Sequence, residues 1–171
     1  MIKCAIFDFD GTLVDSNNIK FNTFFQVTKN IPNSKKLLEQ ILQEQPGDRY
    51  AIFKSLSNRL YSEYQISVND KNLSNEYTSI CEKKVSTAQS IKGSEDSLEK
   101  LKLIGVKLFV SSATPEEALI NIINARRIGH FFDGIYGAPK TKEMHIHHVM
   151  KLYDSKSSEV IYIGDSEADR V

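Results

Sequence analysis

The chain has 171 residues, with 22 basic and 22 acidic side chains and a formal net charge of zero. This length suits one domain, or a core with a modest insert. The charge balance lacks the basic excess that favours nucleic acid or an anionic membrane, and no apolar run approaches a membrane span. Two cysteines far apart and an N-terminal strand without a signal-peptide pattern predict a reduced, cytoplasmic protein.

The first predicted element is a buried strand that ends in two aspartates. The apolar residues 4–7 precede Asp8, Phe9, Asp10 and Gly11, and short apolar runs closed by turn residues are typical of buried strands. In open α/β sheets, ligands bind where such strands end. Two carboxylates this close repel each other, so we expect a Mg²⁺ ion between them, because hard cations take oxygen ligands.

A long segment without strand patterns follows, and its apolar and aromatic residues recur at helical spacing. The predicted helices cover residues 19–29, 35–45, 49–64 and 70–87. Ser34 suits the N-cap of the second helix, and the aromatic residues are expected to pack between the helices. Four helices in series predict a compact bundle inserted at residues 17–88.

Strands and helices then alternate. The predicted strands cover residues 106–110, 134–136 and 160–163, and the predicted helices cover 95–104, 115–127 and 142–153. Ser94 and Thr114 are the expected N-caps of the first two helices, and Glu117 completes a capping box with Thr114. This alternation predicts a doubly wound parallel sheet built from residues 1–16 and 89–171.

Four polar motifs follow the predicted strands in a recognisable order. They are Asp8-Phe9-Asp10-Gly11-Thr12, Ser112, Lys142 and Gly164-Asp165-Ser166-Glu167-Ala168-Asp169. The ordered set resembles the haloacid-dehalogenase-like (HAD) hydrolase superfamily, in its phosphoglycolate phosphatase and β-phosphoglucomutase-like branch. The resemblance covers nearly the whole chain. It implies a Rossmann-like core with a helical cap, in which Asp8 is the nucleophile and Asp10 the general acid/base.

Hydroxyls and cations supply the expected phosphate site. Ser112 and the helix N-terminus beyond it can hold a phosphate oxygen, with Ser111 as the alternative register. The resemblance makes Lys142 the cation that balances the nucleophile and the phosphate, with Lys140 as the alternative. Arg49 in the bundle is a further candidate for an anionic substrate group. The predicted phosphate- or substrate-binding residues are Gly11, Thr12, Ser112, Ala113, Thr114, Lys142 and Arg49.

The expected metal site uses the same strand ends. Asp165 ends a buried strand, where its charge needs a partner. The resemblance implies that Mg²⁺ is shared by Asp8, the backbone carbonyl of Asp10 and Asp165, with Asp169 as a further acid. Asp169 also suits the N3 position of a following helix. Histidines 145, 147 and 148 do not share one helix face, so we expect exposed histidines rather than a zinc site.

These features predict a Mg²⁺-dependent phosphatase that acts on a small-molecule phosphate ester through an aspartyl-phosphate intermediate. The alternatives are a sugar phosphomutase with the same machinery, phosphonate hydrolysis through a cap lysine, and a non-catalytic module that binds phosphorylated ligands. Family members normally continue beyond the position where this chain ends, at Val171. We therefore expect an exposed edge on the last strand and self-association through it.

Overall fold

The computed structural model describes residues 1–44, 47–166 and 169. The chain divides into two units, one formed by Met1–Asn17 with Lys84–Val171 and the other by Asn18–Lys83. In the described ranges, the strands are β1 (Cys4–Phe7), β2 (Lys107–Pro115), β3 (Gly134–Ala138) and β4 (Val160–Ile163). The α-helices are α1 (Asn17–Thr28), α2 (Ser34–Gln43), α3 (Arg49–Tyr64), α4 (Asp70–Val85), α5 (Ser94–Leu103), α6 (Glu116–Ala125) and α7 (Lys142–Leu152). None of these helices is long and apolar enough to cross a membrane.

The first unit is built on a parallel sheet with the strand order β3-β2-β1-β4. All four residues of β1 are buried, as the apolar run predicts for a central strand covered on both faces. Phe7 pairs with Val110 of β2 and with Ile163 of β4. The residues that follow β1 and β4 therefore meet the later part of β2 at one edge of the sheet. The predicted α/β Rossmann-like fold is confirmed.

One face of the sheet packs against α7. Cys4, Ile6, Phe109 and Val149 form a fully buried cluster on this face, and partly buried tyrosines cover its margin. The ring of Phe109 contacts that of Tyr153 at a centroid distance of 5.4 Å. Burying such rings supplies much of the apolar area that stabilises a small core. This packing holds the N-terminal turn of α7 near the carboxyl end of β1.

The second unit is helical, and an aromatic cluster lies at its centre. Phe24 of α1, Phe53 of α3 and Tyr77 of α4 have ring centroids 4.4–5.8 Å apart. The predicted packing of aromatic residues between helices is therefore correct for these positions. It is wrong for four other aromatic residues of the predicted helices, whose side chains are exposed: Phe21, Tyr50, Tyr61 and Tyr64.

Two of the three predicted N-caps are displaced by one residue. Ser34 is the first helical residue of α2, and its hydroxyl donates to the carbonyl of Thr28 at 2.9 Å. Ser94 likewise begins α5, and its hydroxyl donates to the carbonyl of Leu13 at 3.2 Å. Each serine therefore bonds a carbonyl outside the helix that it begins. The predicted end of the second helix, at Gln45, lies outside the described residues.

The third predicted cap is also wrong. β2 continues through Pro115, and α6 begins at Glu116 with no side-chain cap. Thr114 therefore belongs to the strand, and its capping box with Glu117 does not form. The hydroxyl of Thr114 donates to the carboxylate of Asp10 instead. The strand extends five residues beyond its predicted end because Pro115 pairs with Ala138 of β3 after an irregularity in the register.

Candidate active site

Asp8 lies at the carboxyl end of β1, with its backbone N–H donating to the carbonyl of Ile163. Its side chain is buried and accepts hydrogen bonds from the Phe9 N–H at 2.7 Å and from Lys142 Nζ at 2.9 Å. Burial raises the pKa of Asp8, and the nearby charge of Lys142 only partly offsets that effect. A buried carboxylate of this kind depends on a neighbouring cation for its ionised form.

Lys142 is the first residue of α7, after Thr141, whose side chain caps the helix by accepting from the Met144 N–H at 3.3 Å. The Lys142 ammonium bridges Asp8 and Asp169. Burial lowers its pKa, but the hydrogen bond to Asp169 and the charge of Asp8 outweigh burial and raise the pKa above the ordinary lysine value. Lys142 is therefore a cation at neutral pH.

Lys140, the alternative lysine of the sequence analysis, is exposed and lines a separate cavity beside α7. It makes none of the carboxylate contacts of Lys142. The geometry thus places Lys142, two residues later, beside the predicted nucleophile.

Asp10 lies among hydroxyl groups. Its Oδ1 accepts from Ser16 at 2.6 Å, and its Oδ2 accepts from Ser112 at 3.3 Å and from Thr114 at 3.2 Å. Ser112 and Thr114 come from β2, whereas Ser16 follows the first motif along the chain. Such bonds fix the orientation of a carboxylate. Ser111, the alternative to Ser112, is directed away from Asp10 towards α7.

Three carboxylates form an acidic cluster at this edge of the sheet. One oxygen from each of Asp8, Asp165 and Asp169 lies within 4.8 Å of the others. Among the described residues, this is the group of acidic, histidine and cysteine side chains close enough to share a metal. Carboxylate oxygens are the donors that Mg²⁺ and Ca²⁺ prefer, so the cluster fits a hard divalent cation.

Asp165 and Asp169, the two members of the cluster that follow β4, are each held by hydrogen bonds. Asp169 accepts from the backbone N–H of Ser166 at 3.0 Å and from its hydroxyl at 2.6 Å. Burial raises the pKa of Asp169, but the bonds from Lys142 and Ser166 outweigh it and hold that pKa below the ordinary value. Asp165 accepts from Asn17 Nδ2 at 2.8 Å and from Thr12 Oγ1 at 3.4 Å.

Gly11 allows Asp165 to approach the first motif. Its φ of +76° is in the left-handed region, and a Cβ at this position would overlap the Asp165 carboxylate and the Asn17 amide. Glycine is the residue that adopts this conformation without steric cost. The glycine of the first motif therefore brings the fourth motif against it.

The structure brings together most of the predicted site. The first unit places these predicted residues at one edge of its sheet: Asp8, Asp10, Gly11, Thr12, Ser112, Thr114, Lys142, Asp165 and Asp169. The Asp10 side chain lies outside the acidic cluster. The contact between the metal and the backbone carbonyl of Asp10 stays a prediction. Ala113 is an exposed residue of β2. Glu167 and Ala168 of the fourth motif lie outside the described residues.

Arg49 begins α3 of the helical unit, where its guanidinium carbon lies 4.6 Å from the centroid of the Tyr50 ring. Its contact with a substrate stays a prediction.

The sequence analysis does not predict the roles of Ser16, Asn17 and His145. Ser16 and Asn17 lie within nine residues of Asp8, and this closeness in sequence is the signal that could have placed them at the site. His145 is buried, with Nδ1 2.8 Å from the hydroxyl of Ser111. The expectation of exposed histidines is therefore wrong for His145 and correct for His147 and His148. No sequence pattern pairs a helix histidine with a strand serine 34 positions earlier.

The chain matches the family model for haloacid dehalogenase-like hydrolases over residues 5–171. It belongs to the haloacid dehalogenase-like hydrolase family. A search of curated proteins found no match. Within the family, the chain is similar to a haloacid dehalogenase-like hydrolase from Streptococcus pneumoniae, with 26% identity and a TM-score of 0.66 over 98% of this chain and 78% of that one.

Two further solved structures share the HAD fold. A predicted phosphoglycolate phosphatase from Haemophilus somnus 129PT is 19% identical, with a TM-score of 0.77 over 98% of this chain and 79% of that one. A Bacillus subtilis protein assigned as a HAD-hydrolase, with magnesium bound, is 17% identical, with a TM-score of 0.71 over 96% of this chain and 80% of that one. At these identities the likeness shows the fold.

Proposed function

We propose that this HAD-family protein is a Mg²⁺-dependent phosphatase that hydrolyses a small phosphate ester through an aspartyl-phosphate on Asp8. The observation that carries the proposal is the contact between the buried Asp8 carboxylate and the Lys142 ammonium at 2.9 Å, beside a cluster of further carboxylates. A carboxylate paired with a fixed cation can attack a phosphoryl group whose negative charge would otherwise repel it.

In the first step, an oxygen of Asp8 forms a bond to phosphorus while the bond from phosphorus to the ester oxygen breaks. Lys142 neutralises part of the charge on the attacking carboxylate and on the phosphoryl oxygens. Asp10 gives a proton to the departing ester oxygen, which leaves as an alcohol. The hydroxyls of Ser16, Ser112 and Thr114 hold the Asp10 side chain in place for this transfer.

In the second step, Asp10 takes a proton from a water molecule, which attacks the phosphorus of the aspartyl-phosphate. The bond between phosphorus and the Asp8 oxygen breaks, and inorganic phosphate leaves. Asp10 thereby returns to its protonated form, and Asp8 to its carboxylate. Ser112 and Thr114 lie at the end of β2, just before the N-terminus of α6, and we assign the phosphoryl oxygens to this region because helix N-termini favour anions.

We assign the divalent cation to Asp8, Asp165 and Asp169, with the backbone carbonyl of Asp10 as a further ligand. When bound there, Mg²⁺ supplies positive charge that stabilises the phosphoryl group in transfer. The donor chemistry of the cluster supports this assignment, as does the magnesium in the similarly folded protein from Bacillus subtilis.

The test is hydrolysis of p-nitrophenyl phosphate by the full chain with Mg²⁺ and with EDTA. We expect turnover with Mg²⁺, none with EDTA, and none in Asp8→Asn. Asp15→Asn is the matched control, because Asp15 is an exposed aspartate in the same loop. p-Nitrophenolate is a stable anion that can leave without a proton, so with this substrate Asp10→Asn should block mainly the attack of water. The reaction should then stop at the acyl phosphate, and mass spectrometry of the Asp8 peptide should find one added phosphoryl group.

Turnover in Asp8→Asn at the wild-type rate would refute the assignment of the nucleophile. Phosphoryl migration within a sugar phosphate, without release of phosphate, would indicate a phosphomutase instead. Binding of phosphorylated ligands by a folded protein that releases no phosphate from a panel of esters would indicate a non-catalytic module.

A further inference from the structure

We propose that His145 is a positioning residue that holds Lys142 against Asp8, through a polar link to Ser111 and Tyr162. This inference rests on the proposed function, in which Lys142 must neutralise charge at a fixed place. His145 lies three residues after Lys142 on α7, so the two residues are about one helical turn apart. A constraint on His145 therefore constrains the backbone that carries Lys142.

The link begins with a buried hydrogen bond between α7 and β2. His145 Nδ1 lies 2.8 Å from Ser111 Oγ, and the exposed fractions of the two residues are only 1% and 0%. The imidazole and the hydroxyl are thus paired in a buried contact between the two elements. Removing one partner leaves the other buried and unsatisfied, which costs about 1–3 kcal/mol. This bond therefore favours one position of α7 along the sheet.

The link continues to Tyr162 on β4. The Tyr162 hydroxyl donates to the backbone carbonyl of Ser111 at 3.2 Å, and burial raises the pKa of Tyr162 to about 12. That hydroxyl is therefore protonated at neutral pH and remains a donor. The Lys142 ammonium lies 5.8 Å from the centroid of the Tyr162 ring. Tyr162 thus contacts the far end of the same lysine whose backbone His145 fixes.

Aromatic packing fixes the imidazole itself. The ring of Tyr136 stacks on that of His145, with centroids 5.5 Å apart and an interplanar angle of 29°. Tyr136 in turn stacks on Phe109 of β2. His145 is therefore restrained by a hydrogen bond in the plane of its ring and by stacking on its face.

Lys142 needs such restraint because its side chain is long. A free lysine side chain has many rotamers, and ordering it costs up to about 2 kcal/mol. Misplacing a catalytic group by about 1 Å can cost a hundredfold in rate. Ser112, which follows Ser111 on β2, donates to Asp10. The bond from His145 to Ser111 thus connects the strand that orients Asp10 with the helix that carries Lys142.

Two substitutions separate a polar anchor from a packing role. His145→Asn keeps a polar atom at the position of Nδ1 but loses ring volume, whereas His145→Leu keeps volume but loses the bond to Ser111. His147→Leu is the matched control, because His147 is an exposed histidine of the same helix. Rates are expressed per folded molecule, with the folded fraction taken from the unfolding curve of each variant.

We expect His145→Leu and Ser111→Ala to lower kcat by about tenfold to a hundredfold. His145→Asn should recover most of that loss, and His147→Leu should match the wild type. If His145→Leu retains the wild-type rate, or if the leucine variant is the more active of the two, the polar link is refuted.

A second measurement does not depend on turnover. In the wild type without Mg²⁺, the Lys142 ammonium should give a protected side-chain ¹⁵N resonance, because it bridges two carboxylates. Lys142→Arg assigns that resonance by its disappearance. We expect the resonance to be retained in His145→Asn and to be lost or broadened in His145→Leu. An unchanged resonance in the leucine variant would overturn the inference, even in a protein that releases no phosphate.

Failure of the proposed function gives a different pattern. A wild type without Mg²⁺-dependent hydrolysis, but with the resonance changes described above, would refute the phosphatase and leave the positioning link standing.

Chemical rescue with imidazole is a further test of the link. His145 lines a cavity of about 390 Å³ together with exposed side chains, so imidazole can reach the space left in His145→Ala. Imidazole should raise the rate of that variant and leave His147→Ala unchanged, and an equal effect on both would count against the link.

Discussion

Lys142→Met removes the only charge in the described residues that is seen to bridge Asp8 and Asp169. The substitution keeps most of the volume and apolar stem of the lysine and deletes its ammonium group. In buffer with EDTA, the two carboxylates then lie close together without their shared cation. We expect a large loss of stability in a protein whose backbone is unchanged.

The size of the expected loss in unfolding free energy follows from the burial of the three side chains. The exposed side-chain fractions are 18% for Lys142, 10% for Asp8 and 4% for Asp169. Removing one partner of a buried ion pair costs about 3–5 kcal/mol, because the remaining charge is left uncompensated. Since the site lies at an edge of the sheet, we expect the lower end of that range, about 3 kcal/mol.

The pH dependence has a definite sign. The raised pKa of Lys142 means that its contribution is fully present below the ordinary lysine pKa and is lost as pH rises through the higher folded value. The lowered pKa of Asp169 means that its contribution is present above the ordinary aspartate pKa and is lost as pH falls through the lower folded value. The pKa of Asp8 is raised by burial, and below that raised value the Asp8 carboxyl is neutral and needs no cation. The difference between wild type and variant should therefore be largest from above the pKa of Asp8 up to about pH 10.

The assay is urea unfolding at several pH values, with Lys140→Met as the matched control. Lys140 is exposed and contacts neither aspartate, so its variant should unfold within about 0.5 kcal/mol of the wild type. Adding Asp8→Asn to Lys142→Met should recover part of the loss, because one uncompensated charge is gone. A loss below about 0.5 kcal/mol for Lys142→Met at neutral pH would refute the ion-pair reasoning.

Three further substitutions test other parts of the structure. Gly11→Ala should cost more than about 1 kcal/mol and weaken Mg²⁺ binding in calorimetry, because its Cβ would displace Asp165; unchanged affinity would contradict this. Ser16→Ala removes the 2.6 Å bond to Asp10 and should slow turnover about tenfold or more, as measured by phosphate release. Phe53→Ala should lower unfolding free energy by about 3–5 kcal/mol, because Phe53 is fully buried, and a loss under 1 kcal/mol would contradict its core role.

Apolar runs and their terminators predict the strands well. The limits of β4 match the prediction, and β1 coincides with the apolar residues 4–7, because a run of buried residues closed by a polar turn has few other solutions. Helix caps are less predictable. Ser34, Ser94 and Thr114 each have the residue type of a cap, yet no hydroxyl bonds the helix that it was predicted to cap. Ser94 and Thr114 bond groups more than 80 residues away in sequence, and Ser34 bonds the end of the preceding helix. A local preference cannot anticipate a tertiary partner.

In the candidate site, too, the positions of the residues are predictable from the sequence, whereas their hydrogen-bond partners are not. The ends of parallel strands meet at one edge, so the strand pattern alone places Asp8, Ser112 and Asp165 in one region. The first helical position of Lys142 also agrees with the prediction. The bonds that orient these groups depend on side-chain directions that appear only on folding, as with Ser111, which is adjacent to Ser112 but directed towards His145.

The charge balance around Lys142 affects how strongly the cation and the phosphate ester bind in each other's presence. Three carboxylates and one ammonium lie together at the end of β1, so the ionised group carries a net charge of −3 + 1 = −2. A phosphate ester approaching that group would meet repulsion over the Debye length of the solution, about 8 Å at physiological salt. A bound divalent cation brings the net charge of this group to zero. Cation and ester should therefore bind with positive cooperativity, and each should raise the affinity of the protein for the other by the same factor.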